Sequence, residues 1–315
     1  MSSDAAMVEQ VRSFSRTVTQ RVGALNERFM ERNRPLAQSR MLWEIGLEGC
    51  ELRPLRSRLG LDSGHASRLL RALEAEGLVV VQPSASDRRV RRARLTEEGL
   101  RERALLDERS NTHASTILAG LDPARREQLV DAMRTVERLL TAAAVEIRMV
   151  DPAGRDAVLC LSAYYAELNR RSDTGYDPKA GISAEPHELR PPAGAFFVAY
   201  LRGEAIGCGG VKHHDGAPAE IKRMWVAESA RGLGVGRRML ACLEECARDN
   251  GAAMAHIETN GTLVEAISLY LSAGYVEVPA FNDEPFADHW FEKPFADVEA
   301  HKSDTTARGC TAPMC

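Results

Sequence analysis

Apolar residues recur at helical spacing through the first part of the chain. Val8, Val11, Val18, Val22, Leu25 and Phe29 share one face and predict a single long amphipathic helix over 8–29. Pro35 opens a second helix over Leu36 to Leu47, because proline fits a first helical turn. A helix from Glu51 to Leu59, the turn Gly60-Leu61-Asp62, and a helix from Ser63 to Glu76 ending at Gly77 follow. That order, with its short glycine-containing turn, is a helix-turn-helix in which Leu69, Leu70 and Leu73 face the core. Leu78 to Val81 is strand-like, Pro83 to Asp87 is turn chemistry, and Val90 to Leu95 alternates apolar residues with arginine, which together predict a hairpin or wing. Thr96, with Glu98 and Gly99, starts a helix running toward Leu118, and Asp122-Pro123 opens another reaching about Ala144.

The period changes at Val145. Val145 to Val150 alternates as a strand, and a helix opened by Asp151-Pro152 runs to Asn169. Arg171 to Pro192 is rich in Gly, Pro and polar residues and reads as a loop, with room for a short helix. Strands are expected over Ala195 to Leu201, Ala205 to Lys212 and Ala219 to Val226. They are followed by a helix Gly234 to Asn250, a strand Ala253 to Thr259, a helix Leu263 to Ala273, and strands near Tyr275 to Val278 and His289 to Lys293. The tail after Phe295 is polar and is expected to be disordered. A mainly α part followed by an α/β part with a mixed sheet fits the 315 residues, which exceed what one core usually serves.

Composition narrows the classes. With 44% hydrophobic and 27% charged residues and no apolar run near membrane-spanning length, the sequence describes a globular protein, and the lack of a secretory signal pattern points to the cytoplasm. Seven cysteines without paired spacing argue against a disulfide framework or a zinc site, and Cys310 and Cys315 fall in the tail. Net charge is −4, but residues 1–148 hold 25 Arg against 21 acids while the remainder holds 16 basic residues against 24 acids. The first half is therefore the one compatible with nucleic acid.

The segment Arg231-Gly232-Leu233-Gly234-Val235-Gly236 lies between a strand and a helix. Unpaired amides at such a turn converge on one spot and, with the helix dipole, can hold a diphosphate. Its glycines allow close approach, and Arg231, Arg237 and Arg238 can add positive charge. A dinucleotide site also uses such a loop, but the acidic residue that fingerprint expects is missing. An amine must lose a proton before it attacks a thioester, so a carboxylate facing the cleft is needed, and Glu220 is the best placed. The developing oxyanion wants a backbone donor such as the amide of Val226. Read alone, Tyr270 also suits a half-buried helix aromatic, Glu220 a solvated strand carboxylate, and Trp225 simple packing. His256 and His289 read as structural, and His213-His214 as surface loop.

Over most of 145–295 the sequence resembles the GNAT acetyltransferases. The motifs, in order, are Glu220 to Val226, Arg231 to Gly236, Glu258-Thr259-Asn260, Ala266 to Tyr270 and Ala273-Gly274-Tyr275. The resemblance implies acetyl-CoA as cofactor. Met224, Trp225 and Val226 would pair with its pantetheine arm, and Arg231 to Arg237 would hold its pyrophosphate. Asn260 would line the cleft, Tyr270 would act as general acid, and Glu220 as general base. Glu228-Ser229-Ala230 stands where many relatives carry proline.

Arg88, Arg89, Arg91, Arg92 and Arg94 crowd the wing after Asp87, a density that repels itself unless phosphates neutralise it. The order of elements over 8–144, with Asp87-Arg88-Arg89 and Leu95-Thr96, resembles the MarR family of winged-helix regulators. That resemblance implies a homodimer on a palindromic double-stranded operator. Ser63, His65, Ser67, Arg68 and Arg71 are the polar residues of the recognition helix, and Arg68 or Arg71 suits either a guanine edge or a phosphate. Arg89 is expected in the minor groove with Asp87 orienting it.

The expected organisation is a DNA-binding and dimerisation domain over 1–144, an acetyltransferase domain over 145–296 and a disordered tail over 297–315. The expected activity is transfer of an acetyl group to a small amine or amino acid rather than a protein lysine, combined with operator binding. Two alternatives stand beside it: an enzyme whose N-terminal part only dimerises, and a regulator that senses acetyl-CoA without turnover. The segments 171–192 and 279–288 are expected to shape the acceptor pocket, and their acidic residues suit a cationic amine.

Overall fold

Local capping chemistry fixes most of the boundaries in the computed structural model, which describes residues 3–21, 34–84, 87–172, 175, 177, 180–182 and 184–295. The second part of the first expected helix, 22–29, and the tail with Cys310 and Cys315 lie outside the described residues. The chain divides into two compact units, Met1–Met133 and Arg134–Cys315.

The N-terminal unit contains α1 (Ser3–Arg21), α2 (Leu36–Ile45), β1 (Cys50–Glu51), α3 (Leu52–Leu59), α4 (Ser63–Ala75), β2 (Val79–Pro83), β3 (Arg91–Leu95) and α5 (Glu97–Ala119). Gly60, at φ +63°, ends α3 in the left-handed region that glycine enters without a steric penalty. Asp62 then starts α4, its carboxylate accepting the His65 amide at 2.8 Å. Met41, Leu42 and Ile45 of α2, Leu55 of α3, and Leu70 and Leu73 of α4 meet Leu78, Val79 and Ala93 in one core. Cys50–Glu51 forms a short strand, not a helix start, because it pairs with Ala93 and Arg92 on β3. Thr96 caps α5 by accepting the Gly99 amide at 3.0 Å, and its hydroxyl donates to the Gly77 carbonyl.

The helix α6 (Pro123–Ala143) leads to β4 (Val145–Met149), α7 (Arg155–Arg171), β5 (Gly194–Leu201), β6 (Glu204–Lys212) and β7 (Ala219–Val226). Beyond these lie α8 (Val235–Asp249), β8 (Met254–Thr259), α9 (Val264–Ser272), β9 (Val276–Val278) and β10 (His289–Pro294). The helix expected from Asp151 starts at Arg155 instead. Asp151 accepts the Ala153 amide and its carbonyl accepts the Gly154 amide, so the Asp-Pro pair closes a turn and Gly154 caps the helix. The sheet order is β4-β5-β6-β7-β8-β10-β9, antiparallel except for β7 and β8. On β5, Phe196, Val198 and Tyr200 share a cluster with Ala157 and Cys160 of α7, whereas Ala195, Phe197 and Ala199 join Met239, Leu240 and Leu243 of α8. That is strand alternation with both faces covered.

Two irregularities open this sheet. The parallel pair β7–β8 is joined at Ala219↔Ala255 and Glu220↔His256 and then parts. Between β6 and β7 the register slips from Cys208↔Trp225 to Gly210↔Lys222, so Arg223 and Met224 together oppose Gly209. Arg223 takes φ +60° there, a bulge that re-aims the end of β7. Among the described residues no helix is long and apolar enough to cross a membrane.

Gly99 lets α5 lie against the chain just before β2: a Cβ at this position would sit 2.0 Å from the Leu78 carbonyl oxygen. Gly99→Ala is expected to destabilise the N-terminal unit by about 1–3 kcal/mol, read as a lowered thermal midpoint.

Candidate functional site

The parted strands leave a cleft with two adjoining cavities. One, of about 530 Å³, is bounded by Met224, Trp225, Val226, the loop around Gly232 and Gly234, and Leu269 and Tyr270 of α9. The other, of about 100 Å³, is bounded by Lys222, Met224, Glu258, Asn260, Glu284, Phe286 and Tyr270. Tyr270, Met224, Tyr164 and Ala266 belong to both walls. Ile182 and Glu284, from the two segments expected near an acceptor, line the smaller cavity.

The first cavity is lined by unsatisfied backbone. The Arg231 amide donates to Glu228 and the Arg238 amide to Gly234, but among the described residues no acceptor meets the amides of 232–237. Gly232 and Gly234 hold φ +78° and +74°, and a Cβ on either would point into open space. They are required by conformation rather than by crowding. Gly236 differs, since a Cβ there would come 3.3 Å from Leu269. The edge of β7 beyond Glu220 is also free of β8. Because the Ala227 amide turns toward Ile206 on β6, the Val226 amide faces the opposite edge.

The arginines expected to reach a diphosphate are otherwise employed. Arg231 donates to both oxygens of Glu167, at 2.5 and 2.7 Å, and to the Val226 carbonyl. Glu167 also accepts from the Trp225 indole at 2.9 Å and pairs with Arg171, which pairs in turn with Glu265. Burial pushes the Glu167 carboxyl up, but the Trp225 indole and the Arg231 guanidinium outweigh it and hold it below its usual range. This network ties β7, α7 and the loop together. Arg237 donates to the Ser272 hydroxyl, and Arg238 to the carbonyls of Ala142 and Val145. The loop amides, not Arg231 or Arg238, are the free donors.

Tyr270 is buried, and among the described residues its hydroxyl makes no hydrogen bond. Burial raises its pKa well above the ordinary tyrosine value, with the Glu258 charge adding to the effect. Asn260 does not border the larger cavity. Its side chain donates to the Phe286 carbonyl and accepts from Thr262, shaping the turn after β8. Glu220 borders neither cavity and is held by Lys222 at 3.1 Å and His214 at 3.0 Å. Burial raises its pKa, but Lys222 and Lys212 more than reverse that and hold it below the usual carboxylate range. Two carboxylates line the small cavity, Glu284 and Glu258, and sequence reasoning left Glu258 without a role. Strand parity and the register Glu220↔His256 put it on the same face as Lys222, a signal available only once the register is known.

In the N-terminal unit, Ser63, Arg68 and Arg71 are exposed on α4, and His65 and Ser67 are half-buried. Leu70 and Leu73 point into the core, with Leu69 packed against it. Arg88, Arg89 and Arg91 are exposed on the wing, and none meets a carboxylate among the described residues. Asp87 accepts the backbone amide of Arg89, so it shapes the tip rather than gripping the guanidinium. Arg92 instead donates to the Glu48 and Gly49 carbonyls.

A parted β-sheet beside a glycine-rich helix start makes a groove whose free amides suit a diphosphate-bearing cofactor. Residues 192–277 match the family model described as "Acetyltransferase (GNAT) domain", and residues 33–90 match that described as "MarR family". The chain is similar to the IAA acetyltransferase of Azospirillum brasilense, at 32% identity over 39% of this chain and 79% of that protein. It is similar to the structure of the putative acyl-CoA N-acyltransferase from Klebsiella pneumoniae, at 26% identity and TM-score 0.41, over 48% of this chain and 98% of that one. It is also similar to the PcaV transcriptional regulator of Streptomyces coelicolor, at 26% identity and TM-score 0.34, over 39% and 89%. The chain belongs to the GNAT N-acetyltransferases, and the segment 33–90 ahead of that domain matches the MarR family model. Acetyl-CoA is its cofactor, and the free amides and open strand edge fit such a molecule.

Gly234→Ala forces a left-handed backbone on an alanine, at a cost of about 1 kcal/mol or more. The loop is expected to relax in the free protein and to be pulled back on binding, raising the Kd for acetyl-CoA by about five- to tenfold in calorimetry.

Proposed function

We propose that the protein both binds operator DNA as a homodimer and transfers the acetyl group of acetyl-CoA to a small amine. Residues 1–144 serve the first role and 145–296 the second. The observation that carries the catalytic reading is the run of unpaired amides at 232–237 beside the free edge of β7. The amides of Gly232, Leu233, Gly234, Val235, Gly236 and Arg237 receive the pyrophosphate, aided by the α8 dipole. Met224, Trp225 and Val226 offer backbone to the pantetheine arm, and Arg231 holds the loop in place through Glu167.

Acetyl-CoA supplies an activated thioester. What the chain supplies is position and protons. Tyr270 borders both cavities and keeps its proton well into the alkaline range, as an acid for a leaving sulfur must. The Val226 amide is available to the developing oxyanion. A cavity of about 100 Å³ with Glu258 and Glu284 in its walls favours a small cationic amine or amino acid over a protein lysine.

For DNA, the exposed Arg88, Arg89 and Arg91 are cations without a carboxylate partner among the described residues, which favours phosphate contact. Ser63, His65, Ser67, Arg68 and Arg71 on α4 would face the major groove, with Asp87 setting the wing tip. MarR regulators bind DNA and typically dimerise. Exposed Met7, Val8, Val11, Phe14 and Val18 line one side of α1, and α6 buries no residue within the chain. Both are surfaces suited to a second copy.

Tyr270→Phe is expected to lower turnover, measured as thiol release from acetyl-CoA with a panel of amino acids and diamines, by roughly 10²- to 10⁴-fold without weakening acetyl-CoA binding. No turnover in the wild type, with acetyl-CoA still bound, would favour a sensor. Replacing Arg89 and Arg91 by Ala is expected to reduce the salt dependence of binding to the protein's own upstream DNA by about one phosphate equivalent each. Unchanged binding would leave the N-terminal part as a dimerisation module.

A further inference from the structure

A line of charged side chains runs from the wall of the smaller cavity to the protein surface. Glu258 Oε1 meets the Lys222 ammonium, Lys222 Nζ lies 3.1 Å from Glu220 Oε2, and Glu220 Oε1 lies 3.0 Å from His214 Nε2. Side-chain exposure along this line is 9, 6, 23 and 34%. The inner end is closed and the outer end is open to water. Glu258 Oε2 is buried and has no hydrogen-bond partner among the described residues, although its residue borders the cavity. An orphaned acceptor of this kind is costly unless something fills its place.

We infer that Glu258, rather than Glu220, is the base that takes the proton from the acceptor ammonium, and that Lys222 and Glu220 carry that proton outward. The inference rests on the acetyltransferase reading of the same cleft. The substrate N–H bond breaks, Glu258 Oε2 gains the proton, and the nitrogen lone pair becomes free to attack. Rotation of the Glu258 carboxyl brings that proton to the position facing Lys222, which accepts it as it passes one of its own protons to Glu220. Glu220, nearer the open end of the line, releases its proton to water. Every group returns to its starting charge.

Electrostatics places the two carboxylates in different roles. One ammonium, Lys222, serves both, so one must be under-compensated. Glu220 also has Lys212 and His214 nearby and is held low. Glu258 is raised, first by burial and then by the charges of Glu220 and Glu284, against the lowering effect of Lys222. Tyr270 on α9 faces it from the remaining wall. Lys222 itself stays protonated because its two carboxylates outweigh its burial.

The test is a pH profile of kcat/KM with the same panel of amino acids and diamines, beside an infrared titration of carboxyl groups in the full-length, substrate-free protein. Activity falls as pH drops through the pKa of the base. Glu258→Gln should cost about 10²- to 10⁴-fold and remove that acid limb. Glu220→Gln should cost less and shift the limb to lower pH, because it deletes a neighbouring anion and leaves Lys222 to Glu258 alone. In the infrared, one carboxyl should titrate above the ordinary glutamate range, disappear in Glu258→Gln and move down in Glu220→Gln. The inference is overturned if Glu258→Gln keeps its acid limb, or if the high carboxyl persists in that variant. Acetyl-CoA protection against heat separates the two readings: lost protection in the wild type would sink the acetyltransferase assignment, whereas protection with an unaltered Glu258→Gln profile would sink only the base.

Discussion

The structure of the catalytic half depends on one failure of pairing. β7 and β8 run parallel, a pairing that normally continues along both strands, yet they are joined at only Ala219↔Ala255 and Glu220↔His256. The bulge at Arg223 and Met224 turns the end of β7, and the Asn260 side chain fixes the turn that takes the chain off β8. What opens between them is a wedge whose wall is main chain. Unpaired backbone in a cleft is costly unless water or a ligand satisfies it. The glycine-rich start of α8 stands at the same opening, where the amides of residues 232–237 find no acceptor among the described residues. Strand edge and helix start together form a surface for a long, polar, diphosphate-bearing molecule, which is what coenzyme A is.

That arrangement needs rigid support, and the support comes from side chains remote in sequence. Glu167 on α7 gathers Trp225 from β7 and Arg231 from the loop around one buried carboxylate. Arg171 extends the network to Glu265 at the start of α9. A buried carboxylate with several charge-assisted partners is strongly directional, so the loop is held at a set height above the strand end. Arg238 adds a second tie by donating to the carbonyls of Ala142 and Val145 where α6 gives way to β4.

Much of this was legible in the chain. β7 runs from Ala219 to Val226 as the sequence leads one to expect, and α5 and α6 begin where Thr96 and Asp122-Pro123 place them. Patterns that depend on neighbours in sequence carried through. Patterns that depend on partners in space did not. The two-residue strand at Cys50 has no local signature, because its existence rests on Ala93 and Arg92. Asp151-Pro152 has the chemistry of both a cap and a turn, and Gly154 decides for the turn. Arg231 sits beside the expected diphosphate site in sequence, but Glu167 claims it. Glu220 and Glu258 look alike along the chain, and only the register of β7 against β8, with Lys222 between their carboxylates, separates an ion-paired group from one at the cavity wall. In the N-terminal unit the charge density of the wing was readable, while the inward turn of Arg92 was not.

The central claim is that the amides of residues 232–237 are free in the empty protein and occupied when acetyl-CoA is bound. Amide hydrogen exchange measured residue by residue reads this directly. The account predicts fast exchange at those positions without ligand and strong protection with acetyl-CoA, while Arg238, already bonded to Gly234, exchanges slowly in both states. Slow exchange at 232–237 in the free protein, or no change on adding acetyl-CoA, would contradict it.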